Sequence, residues 1–384
     1  MPKSLTLHLV NTSPHPHPLY AYITGLSLPS MRRLILTPSG TPYLPPSPSK
    51  ILQPFPPCIE PAIPLGPPGT TTALTLPQLA GGRIYFSSGP RKLTFLLNPG
   101  GPGGGAALVE PSVLNPTDLN SDIDFGFCEF TLNDAQLFAN ISYVDFVSRI
   151  PISLRLETAR GDVQSVSGTG VDGLERVAEG LREQSRKDGM PWEKLVVYSK
   201  EDGKPLRVLS PMHGGAVGAR FEGYFEGLVE AAWERYRKER LRINTQMARG
   251  VVEGWVEGSE MVIGSERFGK PTTADILGCN SGPFTTGPSP LRNAIIPRLA
   301  AAFERGCICD VAEHPSHPRT FYKCDGGPTN HYARIVHECN LDGKGYAFAY
   351  DDVQPDGGED QSGKVNAGDP KVFVVAVGGG GLSC

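Results

Sequence analysis

Two acidic residues on neighbouring strand-like runs have the types and spacing for acid–base chemistry. The first run is Phe127-Cys128-Glu129-Phe130-Thr131-Leu132-Asn133, and the second is Asn140-Ile141-Ser142-Tyr143-Val144-Asp145-Phe146. Side chains alternate across a strand. Glu129, Thr131 and Asn133 therefore share one face of the first run, with Cys128, Phe130 and Leu132 on the other. On the second, Ile141, Tyr143 and Asp145 share a face. The link between Asn133 and Asn140 holds turn-tolerant residues such as Asp134, which reads as two strands paired in one sheet. Glu129 and Asp145 would then look across one surface. Two carboxylates facing a cleft are the minimum equipment for glycoside hydrolysis. A carboxylate on a strand is more often a solvated outer-face residue. With 40 Asp plus Glu in the chain, spacing alone does not single out this pair.

The elements that must position these residues change character along the chain. The first 160 or so residues read as short strands and turns, at 4–10, 19–24, 31–36, 83–86, 93–98 and 154–158. A proline-dense stretch, 42–68, reads as an extended surface segment. Helical spacing then takes over: Val171, Leu174, Val177, Ala178 and Leu181, and again Phe221, Tyr224, Phe225, Leu228, Val229, Ala232, Trp233 and Tyr236. A strand at 194–199 lies between these two helices. A hairpin follows at 251–263, then a helix at 291–305 stopped by Gly306, with Pro297 as its kink or its start. After Tyr332 the chain returns to strands, ending with Val372-Phe373-Val374-Val375-Ala376-Val377. The fold expected is mainly β with an α/β part: a β-sandwich or barrel from residues 1–165 and 335–384, carrying an inserted mixed α/β domain at 166–334. The mouth between two such units suits a long polymer.

Composition excludes several partners. The chain has 384 residues, with Lys plus Arg 36 and a formal net charge of -4, and no basic block stands out. Nucleic acid and anionic membranes are poor partners for it, whereas a neutral polysaccharide needs neither sign of charge. Its 46 Gly and 37 Pro suit a turn-rich β fold. No 18-residue apolar run appears, and the N-terminal region enters a strand without the apolar core of a signal peptide. Eight cysteines allow up to four disulfides of unreadable connectivity. Asn11-Thr12-Ser13 and Asn140-Ile141-Ser142 match the glycosylation pattern. A glycan on Asn140 would crowd Asp145. Other signals are weak. Gly100-Gly101-Pro102-Gly103-Gly104-Gly105 lacks the Lys-Ser/Thr of a phosphate loop. Cys307, Cys309, His314 and His317 do not have zinc-finger spacing. His331 and His337 read as structural, and no Gly-x-Ser-x-Gly nucleophile turn stands out. Neither a cofactor nor a metal is expected.

A family resemblance sharpens this. Glu129-Phe130-Thr131-Leu132, then Ile141-Ser142-Tyr143-Val144-Asp145-Phe146, then Ile150-Pro151-Ile152 resemble the core of thaumatin-like proteins. Gly345-Tyr346-Ala347-Phe348-Ala349-Tyr350-Asp351-Asp352 resembles the Tyr-Asp-Asp segment of the same fold. Leu19-Tyr20-Ala21-Tyr22-Ile23-Thr24-Gly25, Gly81-Gly82-Arg83-Ile84-Tyr85-Phe86, Ala107-Leu108-Val109-Glu110-Pro111-Ser112, Pro271-Thr272-Thr273-Ala274-Asp275-Ile276 and Asn330-His331-Tyr332-Ala333-Arg334 are similar to glycoside hydrolase family 64. These are the β-1,3-glucanases with a thaumatin-like domain. The resemblance runs nearly end to end. It implies an endo-acting hydrolase that releases oligosaccharides from laminarin-type β-1,3-glucan and inverts the anomeric centre, with Glu129 as general acid and Asp145 as general base. Thr131 and Asn133 match sugar-binding positions. Phe138 fits either a stacking platform or core packing, and Asp351 and Asp352 fit either an extended acidic cleft or a turn. The family also implies a monomer acting outside the cell or at the cell wall. The rival reading is a thaumatin-like protein that binds glucan, or is antifungal, without hydrolysing it.

Overall fold

The computed structural model describes residues 3–14, 17–323 and 327–379. Along Ser4–Asn11, Leu5, Leu7 and Leu9 are buried and alternate with more exposed positions, as the period of two requires. This strand pairs in parallel with Pro370–Val377 and antiparallel with Thr71–Pro77. Ile152–Thr158 and Val163–Val166 complete a five-stranded sheet. An eight-stranded sheet runs in the order Lys364–Ala367, Leu137–Ile141, Phe125–Leu132, Leu79–Ser88, Leu19–Ser27, Arg33–Leu36, Pro42–Tyr43, with Ile63–Leu65 also paired to Leu19–Ser27. Leu7, Leu9, Leu154 and Val375 of the smaller sheet share one buried cluster with Ile23, Ile84, Phe86, Cys128 and Phe130 of the larger. Each such side chain contributes about 1.5–3 kcal/mol when fully buried, so this layer sets the pairing of the two sheets.

Between Val166 and Lys364 the chain builds helices and, together with Phe146–Ser148, two further sheets. Gly173–Asp188 ends where Gly189 turns left-handed at φ 73°. Glu226–Tyr236, Pro290–Glu304 and His331–Cys339 are the other helices of nine or more residues among those described. Phe146–Ser148, Pro205–Leu209 and Val196–Tyr198 form one small sheet. Leu241–Asn244, Val251–Glu257, Glu260–Ile263, Glu266–Phe268 and Glu313–His314 form a five-stranded one. The buried cluster of the sandwich continues without a break into Leu174, Leu181, Trp192, Trp233, Ile295 and Tyr332 of this part. The chain is thus mainly β, with several sheets and a few helices.

Several expectations are corrected. The run from Asn140 to Phe146 is not one strand. The hairpin after Phe125–Leu132 turns tightly, Asn133 N donating to Gln136 O at 3.0 Å, and its second strand is Leu137–Ile141. The chain then leaves the sheet, and Phe146–Ser148 pairs elsewhere, with Pro205–Leu209. The second helix starts at Glu226, not near Phe221. Pro297 lies inside Pro290–Glu304, whose N-terminus is capped by Ser289 Oγ accepting from Arg292 N at 3.3 Å. The glycosylation sites are closed: Asn140 is 5% exposed and Asn11 is 1% exposed. Cys58, Cys128, Cys279, Cys307, Cys309 and Cys339 are free thiols, while Cys324 and Cys384 lie outside the described residues.

Candidate functional site

Register assembles the polar face of the larger sheet. Residues directly paired across strands share a face. Thr24 pairs with Arg83, Arg83 with Glu129, Glu129 with Asn140 and Asn140 with Lys364, a row crossing five strands. One step along the strands, Tyr22, Tyr85 and Phe127 form a parallel row. These three rings, with Phe95, Phe125, Phe146 and Leu209, make a second apolar cluster. On the other side of the Glu129 row, Thr131 pairs with Phe138 and Phe138 with Asn366. One end of the face is therefore sealed by aromatics, while its polar end is partly open.

Arg83 is the hub of that end. Its Nε donates to Glu129 Oε1 at 3.1 Å, and its Nη1 donates to Tyr85 Oη at 3.1 Å and Glu110 Oε2 at 3.3 Å. Thr24 Oγ1 donates to the other oxygen of Glu110 at 2.7 Å. The guanidinium stacks on Phe127, 4.8 Å from the ring centroid. Burial works against this charge, but Tyr85, Glu110 and Glu129 together outweigh it and push the pKa of Arg83 above its ordinary value. The Glu129 side chain remains 35% exposed, enough to meet a ligand.

Asp145 reaches the site from a different sheet edge. The segment before it is held by Tyr143 N donating to Tyr346 O at 2.8 Å and by Tyr332 Oη donating to Tyr143 O at 2.6 Å. Asp145 O accepts from Ser210 N at 2.9 Å, and Asp145 Oδ1 lies 2.9 Å from His213 Nε2. The His213 hydrogen bond, joined by the charge of Arg83, holds the Asp145 carboxyl below the usual carboxylate range despite partial burial. Arg83 thus bonds one candidate carboxylate and stabilises the charge of the other.

The remaining candidates are scattered differently from expectation. Thr131 and half-buried Phe138 are on the Glu129 face, and Thr131 Oγ1 accepts from Gly81 N at 3.4 Å. Asn133 Oδ1 is occupied by the hairpin, accepting from Ala135 N at 2.8 Å and Gln136 N at 3.0 Å, so its amide nitrogen is what it can offer a ligand. Asp352 is half-buried. Burial raises its carboxyl, with Lys364 opposing. Asp351 is not at the cleft surface. It is 1% exposed and ion-paired to Arg305 at 3.2 Å and to His337 at 3.0 Å. Burial raises the Tyr346 hydroxyl, and Asp352, Asp351 and Glu129 push it further, so this ring sits among the acids. Arg83, Glu110, His213 and Tyr346 were not singled out from sequence. Arg83 becomes visible once strand register is known, but nothing local in Pro211-Met212-His213-Gly214 marks His213. A cavity of about 620 Å³ lies elsewhere, lined by Asp124, Arg149, Asp202 and Lys204 among others and by none of the candidates. No group of three or more His, Cys, Asp or Glu suited to a metal occurs among the described residues.

The chain is similar to several known proteins. Two relatives, the glucan endo-1,3-beta-glucosidases of Cellulosimicrobium cellulans and of Arthrobacter sp. (strain YCWD3), are each 32% identical over 300 residues, 74% of this chain. The chain spans about half the length of these relatives, 50% in each case. A laminaripentaose-producing beta-1,3-glucanase, solved in complex with laminaritetraose, superposes with a TM-score of 0.85 at 31% identity, covering 98% of this chain and 99% of that one. A beta-1,3-glucanase domain from Clostridium beijerinckii shares the fold, with a TM-score of 0.75 at 22% identity and 98% of both chains covered. The profile described as beta-1,3-glucanase, glycoside hydrolase family 64, matches residues 3–377, and the chain belongs to that family.

Proposed function

We propose that the protein is an endo-acting β-1,3-glucan hydrolase of the inverting type, with Glu129 as general acid and Asp145 as general base. The observation that carries this is Arg83, bonded to Glu129 at 3.1 Å while its charge also favours ionised Asp145. In this reading the two carboxylates serve one site, Glu129 from the larger sheet and Asp145 from the segment just before Phe146–Ser148. An inverting base must be ionised to activate water, and the lowered pKa of Asp145 suits that task. Glu129 must carry a proton to act as acid. Arg83 divides its donors among Glu129, Glu110 and Tyr85, so its charge is not committed to Glu129 alone. Thr131, Asn133 and Phe138 lie beside Glu129 or at the end of its strand, where they would meet flanking sugar units. Asp352 would border the same acidic face. The similarity to the laminaripentaose-producing enzyme supports a laminarin-type substrate and oligosaccharide products. In this reading, residues 1–165 and 335–384 are a thaumatin-like β domain, and residues 166–334 form the second wall of an open groove.

The Arg83–Glu129 pair also favours the rival reading, a glucan binder whose carboxylates stay ionised and do no chemistry. Release of reducing ends from laminarin by the purified protein separates the two. Glu129→Gln and Asp145→Asn should each abolish release while retaining glucan binding. Proton NMR during early turnover should show the α-anomer first. A β-anomer would mean retention through a covalent intermediate, and unchanged turnover in either variant would remove that residue from its role.

A further inference from the structure

We propose that His213 is a positioning residue that orients the Asp145 carboxylate for its work on water. The inference rests on the reading of Asp145 as the base. Three contacts from one continuous stretch grip Asp145 and its neighbour. Phe146 pairs with Leu209, Asp145 O accepts from Ser210 N at 2.9 Å, and His213 Nε2 meets Asp145 Oδ1 at 2.9 Å. Ser210 is 3% exposed, and the His213 side chain is 14% exposed, so neither is a loose surface group. The short helical turn Pro211–Val217 carries the imidazole, and His213 N donates to Ser210 O at 2.9 Å, fixing the start of that turn.

The chemistry sets the tautomer. An ionised carboxylate only accepts hydrogen bonds, so the imidazole must present Nε2–H to Oδ1. That bond commits one oxygen of Asp145 to the protein and leaves the other to take the proton of an attacking water. It also stops rotation of the carboxyl group about its own axis. A base aligned in this way acts on water without reorganisation at the moment of reaction. The grip comes from a residue 68 positions further along the chain, so the α/β part contributes to the chemistry as well as to the groove wall. Two other titratable groups sense Asp145: Arg83 from Leu79–Ser88 and Tyr332 from His331–Cys339. Neither replaces a hydrogen bond to Oδ1.

The test uses the full chain and laminarin, with His213→Ala, His213→Asn, His213→Gln and Asp145→Asn. Glutamine places an amide N–H close to the position of Nε2, whereas asparagine is too short to reach it. His213→Ala and His213→Asn should lower kcat by about 10²-fold, the scale of a misaligned catalytic group. KM should stay near the wild-type value, and the acid limb of the kcat/KM profile should move to higher pH. His213→Gln should recover most of kcat. Wild-type kcat in a folded His213→Ala, a loss confined to KM, or failure of glutamine to do better than asparagine would overturn the inference. Thermal melting identifies any variant that is not folded, and the glutamine–asparagine comparison then decides. Full activity in Asp145→Asn would defeat the reading of the base itself, an outcome distinct from failure of the His213 series alone.

Discussion

Asp351→Ala separates a buried structural role from a role in the cleft. The Asp351 carboxylate is 1% exposed and the Arg305 guanidinium 2% exposed, 3.2 Å apart. The second oxygen of Asp351 meets His337 Nε2 at 3.0 Å and accepts from Ala347 N at 3.0 Å. Arg305 lies 4.0 Å from the Phe321 ring centroid, packed where water cannot replace the lost anion. Removing one partner of such a pair strands the other charge and costs about 3–5 kcal/mol. Unfolding entropy of about 2.1 cal/mol/K per residue over this length is roughly 0.8 kcal/mol/K, so Tm should fall by about 4–6 °C. Calorimetry of wild type and variant reads this directly, alongside laminarin turnover at a temperature where both are folded. KM should be unchanged there. An unaltered Tm with a raised KM would refute the reasoning and place the Asp351 carboxylate among the sugar-binding groups.

The same buried cluster sets a pH dependence. Glu304 is buried and pushed up to about 8, and His337 is raised by Asp351 against the effect of burial. Groups whose folded pKa is raised give stability that is complete below their unfolded values and lost as pH rises through the folded ones. For Glu304, Tm should therefore fall as pH rises from about 4.5, its ordinary carboxyl value, to about 8. Glu304→Gln should flatten that fall, and an unchanged slope in the variant would count against it. Asp351 has a lowered pKa, because its His337 and Arg305 partners outweigh burial. Its contribution is present above the unfolded carboxyl value and lost as pH falls through the folded one. Phe138→Ala should raise KM for laminarin by up to about tenfold, equal to about 1.4 kcal/mol, with kcat little altered. An effect on Tm alone would assign the ring to packing. Cys58 is exposed, whereas burial raises the Cys128 thiol. A thiol reagent should therefore label Cys58 first of the two under native conditions, read by mass spectrometry.

The residues that period-two alternation could assign were legible without a structure. Glu129 and Thr131 share a face because a strand sends every second side chain the same way, and burial of Cys128, Phe130 and Leu132 opposite them obeys the same rule. The change to helical spacing after Val171 was equally local, and Gly173–Asp188 follows it. Family resemblance added Asp145, which strand logic placed for the wrong reason. The second strand starts three residues earlier than the sequence suggested, at Leu137 rather than Asn140, because Asn133 caps a tight turn, and Asp145 then lies beyond the sheet. Only tertiary structure decided that Asp145 meets His213, 68 residues away, and that Arg83 stands opposite Glu129. It likewise turned Asp351 inward to Arg305 and His337, although its neighbour Asp352 is only half-buried. Local sequence carries the direction of a side chain along one element. The partner that meets it, and the burial that fixes its charge, depend on which distant segments the continuous core brings together.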